Sequence, residues 1–270
     1  VRHVLEAAGD AGVGHLVVLS SALAYGAWAN NPVPLTEEAP LRPNPGVPFS
    51  AERAEIERQA AEWRDQHPSA TVTVLRPVRA AGGPDDWLVR VLRPAAAVPD
   101  TTDEPPVQFV HLDDLASAVD LAWRAGLSGA FNVAPEGWIP GDRARSLIGV
   151  PPTVPVPERA ARRLLRWGSR WGLGGPVPEL VPYTVHPWVV ASDRLRGHGW
   201  APTVSNEEAC VEAHEAGPWA TLSPRRRQEL ALGLAGAGLV GATAAATLAA
   251  RRWWRSSRAV VVGRRPGPGG

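Results

Sequence analysis

Two adjacent hydroxyl side chains, Ser20 and Ser21, directly follow an uninterrupted apolar run over residues 16–19. A run of Leu and Val without polar alternation is typical of a parallel strand that is buried on both faces. Open α/β sheets place their ligands and their chemistry at the carboxyl ends of such strands. The sequence therefore predicts that Ser20 and Ser21 line a ligand site. An alternative for Ser21 is structural, with its hydroxyl bonded to the backbone at the strand end.

The elements that position these serines are predicted from hydrophobic spacing. Residues 1–8 have the apolar spacing of a helix. Residues 50–63 are strongly helix-forming, with Ser50 as the predicted N-cap, and the β-branched residues 71–75 predict a second strand. A strand, a helix and a strand of these lengths predict a right-handed parallel crossover. Further predicted elements are strands over residues 107–111 and 130–134, helices capped by Asp113 or Asp114 and by Asn206, and a basic, Trp-striped helix over residues 157–173.

The composition, with 44% hydrophobic and 20% charged residues, predicts a globular protein. The net charge of +1 hides an asymmetry, because residues 225–270 carry nine Arg and one Glu and the part before them is acidic. An acidic globular part argues against a nucleic-acid partner. The single cysteine, Cys210, excludes an intramolecular disulfide and fits a reducing, cytoplasmic compartment. No Cys and His cluster has the spacing of metal ligands, so no metal site is predicted.

Six segments form an ordered set along residues 1–215: Leu19-Ser20-Ser21 through Tyr25-Gly26, Phe49-Ser50-Ala51-Glu52-Arg53 with Glu57, Leu75-Arg76-Pro77, Phe109-Val110-His111-Leu112-Asp113-Asp114-Leu115-Ala116, Phe131-Asn132-Val133 and Gly199-Trp200-Ala201-Pro202. This set resembles the NAD-dependent epimerase/dehydratase family of the extended short-chain dehydrogenase/reductase superfamily. The resemblance implies an α/β fold, with a Rossmann-like parallel sheet and a smaller C-terminal substrate subdomain. It also implies that the N-terminal strands of the sheet would precede residue 1.

The chemistry that the resemblance implies is hydride transfer with a nicotinamide ring, coupled to proton transfer at a hydroxyl or carbonyl group. The family uses a Tyr-x-x-x-Lys motif, in which the ammonium shares a helix face with the phenol and lowers its pKa. Ser21 matches the family's serine. Phe49 replaces the tyrosine and Arg53 replaces the lysine, in a chain without any lysine. The resemblance therefore implies that the usual proton relay is absent, because Phe49 does not ionise and Arg53 is not a tunable base.

The cofactor implied by the resemblance is NAD or NADP, with Ser20, Arg53 and Pro77 as the predicted contacts. The family's glycine-rich loop holds the cofactor pyrophosphate at a helix N-terminus. That loop and the acidic ribose-binding residue would precede residue 1, so the printed sequence does not contain them. Arg79 is a further departure, since it stands where the family often has Asn.

The C-terminal part contains an uncharged segment, residues 230–250, between two groups of arginines. This length and the Trp pair beside Arg255 predict a membrane-anchoring helix. The segment also fits Gly-x-Gly-x-x-Gly at residues 236–241, which would instead begin a second dinucleotide-binding domain. The basic helix over residues 157–173 has two interpretations, one packed on the domain by its tryptophans and one lying on a membrane surface.

These patterns predict four regions. They are the C-terminal part of a Rossmann-like domain (1–83), a substrate subdomain with returning Rossmann elements (84–224), a hydrophobic anchor helix (225–258) and a disordered tail (259–270). The predicted function is an NAD(P)-dependent oxidoreductase or epimerase acting on a nucleotide sugar or another hydroxyl or carbonyl compound. Two alternatives are a catalytically silent, membrane-associated relative and a truncated gene product. The resemblance also suggests a homodimer.

Overall fold

The computed structural model describes residues 1–82, 105–148 and 178–214, together with two isolated helical positions, Arg163 and Arg166. The chain divides into two units, residues 1–220 and residues 221–270, and every described residue belongs to the first. Most of the predicted basic helix at 157–173, the hydrophobic segment at 230–250 and the predicted tail lie outside the described residues. No helix among the described residues is both long and apolar enough to cross a membrane.

The described residues alternate helices and strands in the order expected of an α/β protein. The strands are β1 (His15–Leu19), β2 (Thr71–Pro77), β3 (Arg79–Ala81), β4 (Phe109–His111) and β5 (Gly129–Val133). The α-helices are α1 (Arg2–Asp10), α2 (Pro48–Gln66), α3 (Leu112–Arg124), α4 (Gly141–Ile148), α5 (Pro182–Val185), α6 (Asp193–Gly197) and α7 (Asn206–Ala213). Two 3₁₀ turns, Ala22–Tyr25 and Pro178–Leu180, complete the set.

Two parallel sheets organise these elements. In the first sheet the strand order is β1-β2-β5, and β2 pairs in parallel with both neighbours. Leu19 stands opposite Leu75, and Leu75 stands opposite Phe131, so the three strands end at one edge. In the second sheet β3 pairs in parallel with β4. The chain thus returns to the first sheet through β5, after it has formed the second sheet.

The first sheet is covered by helices on both faces, as a parallel sheet requires. Successive side chains of a strand point to opposite faces, and β2 shows this alternation. Val72 and Val74 pack with the helices α1 and α2, through residues such as Ala60 and Trp63. Leu75 packs on the other face in the main core, which includes α3. These observations confirm the α/β class with a parallel sheet.

Strand β1 differs from the prediction of a strand buried on both faces. Its residues are half-buried, and Leu19 at its end is 45% exposed. The reason is its position, because β1 is an edge strand of the described sheet and has only β2 beside it. The Leu and Val run indicated the strand correctly, but it gave no information on how many neighbours the strand has.

All three predicted helix caps were wrong. Helix α2 begins earlier than predicted, with Val47 as N-cap and Pro48 in its first turn, so Ser50 is already inside the helix. At α3 the cap is His111, whose Nδ1 accepts a hydrogen bond from the Asp113 amide. At α7 the cap is Ser205 rather than Asn206.

The displaced polar residues have tertiary partners instead. Ser50 donates to the carbonyl oxygen of Leu23 at 2.7 Å. Asp114 is 2% exposed and accepts hydrogen bonds from Thr203 and Val204. Asn206 accepts from the backbone amide of Phe109 and so ties α7 to β4. A Ser, Asp or Asn near a helix start therefore predicts a cap only when no long-range partner competes for its side chain.

Candidate functional site

The carboxyl end of β1 carries the two predicted hydroxyl groups, and the structure uses them differently. The Ser20 amide donates to the carbonyl oxygen of Leu75 at 2.8 Å, and the Ser20 hydroxyl donates to Glu57 Oε1 at 2.5 Å. Ser21 Oγ accepts a hydrogen bond from the Leu23 amide at 3.2 Å and thereby caps the 3₁₀ turn. Among the described residues the Ser21 hydroxyl donates to no acceptor, so its proton remains available to a ligand.

Phe49 and Arg53 occupy the first two turns of α2 and lie against one another. The Arg53 guanidinium carbon is 4.5 Å from the centroid of the Phe49 ring. Arg53 Nη1 donates to the carbonyl oxygen of Leu19 at 2.9 Å. The structure therefore brings the cation to the strand end that carries Ser20 and Ser21. At this place the cation lies beside a phenyl ring, which has no proton to give or take.

The two tyrosines of the chain are buried and are poorly suited to proton transfer. Burial raises the pKa of Tyr25 to about 12, although the charge of Arg76 and its hydrogen bond to the phenol lower it. Burial also raises the pKa of Tyr183 to about 12, against a hydrogen bond with Ser50. The Tyr183 hydroxyl is 2.8 Å from Ser50 Oγ and 2.9 Å from the carbonyl oxygen of Leu23. Both phenols are therefore fixed in the neutral form near neutral pH and serve as structural hydrogen-bond partners.

A buried ion pair, between Arg76 and Glu57, lies next to the same strand end. Arg76 and Glu57 are each 7% exposed, and Arg76 donates to both carboxylate oxygens through Nε and Nη2, with its shortest bond at 2.7 Å. Arg76 Nη1 donates to the Tyr25 hydroxyl at 2.7 Å, and that hydroxyl donates to Asn132 Oδ1 at 2.8 Å. Burial works against the charged guanidinium, but the interactions with Glu57 and Tyr25 together outweigh it and raise the pKa of Arg76. This network joins β1, α2, β2 and β5.

The sequence patterns did not predict this network, although its members stood in the segments that carry the family resemblance. The signal that could have found it is a charged residue placed next to a buried run. Arg76 directly follows the apolar and β-branched residues 71–75 of β2, and Glu57 lies on the helix that precedes that strand. Charges almost never stand in such places unless they are paired.

Pro77 and Arg79 follow on the neighbouring strand end. Pro77 stands opposite Val133 at the last pair of β2 and β5. Arg79 begins β3, where the chain leaves the first sheet for the second. Within the described ranges its buried guanidinium makes one hydrogen bond, from Nη2 to the carbonyl oxygen of Tyr183 at 3.3 Å. The predicted contacts Ser20, Ser21, Arg53 and Pro77 thus stand on the adjoining ends of β1, α2 and β2.

A histidine with two carboxylates nearby lies at the end of the second sheet. His111 Nε2 is 3.3 Å from Glu212 Oε2, and Nδ1 is 3.6 Å from Asp113 Oδ2. Gly82 has a φ of +87°, and a Cβ placed there would lie 2.7 Å from His111 Nε2. These contacts hold the His111 ring in place at the end of β4. Within residues 1–82, 105–148 and 178–214, no three metal-ligating side chains form a cluster.

The donors at the end of β1 fit part of a nicotinamide dinucleotide. Ser21 offers a hydroxyl proton and Arg53 a solvent-facing cation, both at the Leu19 carbonyl end of the strand. Hydroxyl and guanidinium donors suit the amide and ribose oxygens of such a cofactor. The described residues thus supply two donors of the kind that such a cofactor binds. They offer no phenol beside it.

The parallel sheet, with helices on both of its faces, defines a Rossmann-like α/β protein. Residues 1–134 match the model of the NAD dependent epimerase/dehydratase family. This match confirms the resemblance drawn from the six segments. A comparison with curated proteins found no match.

Solved structures with the same fold include enzymes that act on nucleotide sugars. The UDP-glucose 4-epimerase of Thermus thermophilus, in complex with NAD, is 20% identical with a TM-score of 0.54 over 77% of this chain and 65% of that one. The dTDP-glucose 4,6-dehydratase of Bacillus anthracis, in complex with NAD, is 16% identical with a TM-score of 0.55 over 78% and 63%. The RMD protein of Pseudomonas aeruginosa, complexed with NADPH, is 18% identical with a TM-score of 0.52 over 81% and 71%. At these low identities the structural likeness shows the fold alone. The chain spans slightly less than two thirds of the first two structures.

Proposed function

We propose that the protein is a nicotinamide-dependent oxidoreductase or epimerase that acts on a hydroxyl or carbonyl group of a small molecule. The observation that carries this proposal is the pairing of two donors at one strand end. The Ser21 hydroxyl, which donates to no acceptor among the described residues, and the Arg53 guanidinium lie at the carboxyl end of β1, where parallel sheets bind ligands. The family of residues 1–134 and the NAD and NADPH complexes among the solved structures support a nicotinamide cofactor.

The roles of the individual residues follow from their contacts. NAD or NADP, when bound, accepts or supplies the hydride. Ser21 donates its hydroxyl proton in a hydrogen bond to the substrate oxygen and so orients and polarises it. Arg53, held by the Leu19 carbonyl, contacts the cofactor ribose with its remaining N–H groups. Ser20 and Pro77 line this site but donate no hydrogen bond to the ligand. The Ser20 hydroxyl already donates to Glu57.

The substrate class that the relatives favour is a nucleotide sugar. The names of the solved epimerase and dehydratase structures specify UDP-glucose and dTDP-glucose. Such a substrate would offer sugar hydroxyls to Ser21. Cytoplasmic location, a homodimer and membrane association through residues 230–250 stay predictions.

Calorimetric titration of the full-length protein with NAD, NADH, NADP and NADPH tests the proposal. We expect saturable binding of at least one of the four, and an Arg53→Ala variant with about tenfold weaker binding, because charge-assisted hydrogen bonds contribute about 1.5–3 kcal/mol. Arg58→Ala is the matched control, since Arg58 lies on the same helix and pairs with Glu55 and Glu62 on the exposed side. Absence of binding by all four nucleotides would contradict the proposal.

A second candidate function is ligand binding without turnover. The observation that favours it is the position of Arg53 over the Phe49 ring, together with the pKa of about 12 that burial gives both tyrosines. The double variant Phe49→Tyr and Arg53→Lys restores a phenol and an ammonium four residues apart on α2. Turnover that appears only in the double variant would support the interpretation that the unmodified protein binds its ligand without turnover. Equal turnover in the unmodified protein and the variant would exclude it.

A further inference from the structure

Arg79 is a buried cation whose hydrogen-bonding capacity is mostly unused. The residue is 8% exposed, and its buried Nε has no hydrogen-bond partner in the described part of the chain. Its one hydrogen bond among the described residues is the 3.3 Å contact from Nη2 to the Tyr183 carbonyl oxygen. A guanidinium has five N–H donors, so most of the donors of Arg79 have no acceptor among the described residues.

The charge of Arg79 is not neutralised by any carboxylate among the described residues. The groups that surround it are the rings of Phe109 and Trp188, whose centroids lie 5.5 Å and 4.8 Å from its Cζ, and the thiol of Cys210. Burial lowers the pKa of Arg79 to about 10 and raises the pKa of Cys210 to about 11. At neutral pH the arginine is therefore charged and the thiol is not. The aromatic rings attract the cation, but they accept no in-plane hydrogen bonds from its N–H groups.

The position of Arg79 is one where a ligand is expected. It follows the carboxyl end of β2 by two residues and begins β3, so it lies at the point where the chain passes from the first sheet to the second. Ligands of open parallel sheets bind at the carboxyl ends of the strands and between packed units. The Tyr183 and Trp188 segment that contacts Arg79 comes from the C-terminal part of the chain.

We propose that Arg79 is an anion-binding residue and that it receives a carboxylate or phosphoryl group of the substrate. The N–H donors of a guanidinium match such groups in its own plane. An anion at this place would supply both the missing charge and the missing acceptor for Nε. The inference rests on the proposed function for the kind of site involved, but it does not require turnover.

An alternative role is purely structural, with Arg79 joining β3 to the Tyr183 segment through its ring contacts. The two roles differ in their response to added anions. A structural cation is indifferent to a multivalent anion beyond the general effect of salt, whereas an anion-binding residue gives a saturable gain in stability. Arg79→Met keeps the apolar stem between the rings and removes every N–H donor.

Thermal unfolding of the full-length protein with inorganic phosphate, pyrophosphate or malonate, at constant ionic strength in chloride, is the test. We expect a saturable rise in Tm with a phosphate anion or with the dicarboxylate, and the arm that responds identifies the class of group. The rise in Tm should be absent in Arg79→Met. In Arg79→Lys it should need at least tenfold more anion, because lysine keeps the charge but lacks the planar set of guanidinium N–H donors. Arg58→Met serves as the control for the loss of an exposed arginine.

Two outcomes would overturn the inference: no saturable rise with any of the three anions, or an equal rise in the unmodified protein and in Arg79→Met. NADH titration of the same Arg79→Met protein separates this inference from the proposed function. Binding of NADH without an Arg79-dependent anion effect refutes the inference alone. An Arg79-dependent anion effect in a protein that binds no nicotinamide nucleotide refutes the proposed function alone.

Discussion

Arg76 and Arg79 are three residues apart, and these two buried cations differ in the hydrogen-bond and charge partners that the fold provides. They are 7% and 8% exposed. Arg76 faces the Glu57 carboxylate with its Nε and Nη2 and the Tyr25 hydroxyl with its Nη1. Arg79 reaches one carbonyl oxygen and two aromatic rings. Equal burial therefore goes with a complete set of partners at one site and an incomplete set at the other.

The difference separates two functions of a buried charge. The Arg76 network links β1, α2, β2 and β5 and holds Ser20 in place through Glu57, so it fixes the strand ends at which we propose the ligand site. An uncompensated charge such as that of Arg79 costs stability unless a partner joins it. Residues that break the rule of satisfied burial are expected at functional sites.

The largest expected effect is that of Glu57→Gln, which leaves Arg76 charged and without its carboxylate. Removal of one partner from a buried ion pair destabilises a protein by about 3–5 kcal/mol. Chemical denaturation should show this loss in the free energy of unfolding. Glu62→Gln is the matched control on the same helix, because Glu62 pairs with Arg58 at the exposed surface. An equally small loss in both variants would mean that the buried network holds the strand ends no more firmly than a surface pair.

A smaller effect is expected for Tyr25→Phe, which removes a hydroxyl that accepts from Arg76 and donates to Asn132. The loss should be about 1–3 kcal/mol, because two buried polar groups lose a partner. Tyr183→Phe removes a hydroxyl that bonds Leu23 and Ser50, and it provides a comparison outside the charged network. A loss for Tyr25→Phe that is smaller than that for Tyr183→Phe would contradict the importance given to the network.

The same tyrosines predict how stability depends on alkaline pH. Their folded-state pKa of about 12 lies above the ordinary value of 10.0, so the fold favours the neutral phenols. This contribution to stability is complete below pH 10 and is lost as the pH rises through about 12. The free energy of unfolding should therefore fall between pH 10 and 12, and less steeply in Tyr25→Phe. Arg79 acts in the opposite direction in this range, since burial lowers its pKa to about 10, and comparison with the unmodified protein cancels that contribution. An unchanged slope in Tyr25→Phe would contradict the raised pKa of Tyr25.

The sequence predicted every described strand except β3 and indicated the family, but the partners of polar side chains depend on tertiary structure. The Leu and Val run before Ser20 and the β-branched residues of β2 indicated the two strands by pattern alone. The roles of Ser50, Asp114 and Asn206 were assigned wrongly, because their partners lie 27 to 97 residues away along the chain. The edge position of β1 depends on sheet order, which periodicity does not encode. Arg79 was noticed only as a departure from the family pattern, since burial without a partner is a property of the folded chain.

The smallest expected effect on stability is that of Arg79→Met, in contrast to the loss expected at the Arg76 site. The variant forfeits the attraction of the guanidinium to Trp188 and Phe109, about 2 kcal/mol for a desolvated cation. It also removes the cost of a buried charge that no carboxylate among the described residues offsets, and the methionine stem still packs between the rings. These contributions oppose one another, so we expect the free energy of unfolding, measured by urea denaturation, to stay within ~1 kcal/mol of the unmodified protein. A loss of unfolding free energy as large as that of Glu57→Gln would show that Arg79 stabilises the fold as Arg76 does. That result would contradict the interpretation of Arg79 as an uncompensated charge that awaits an anion.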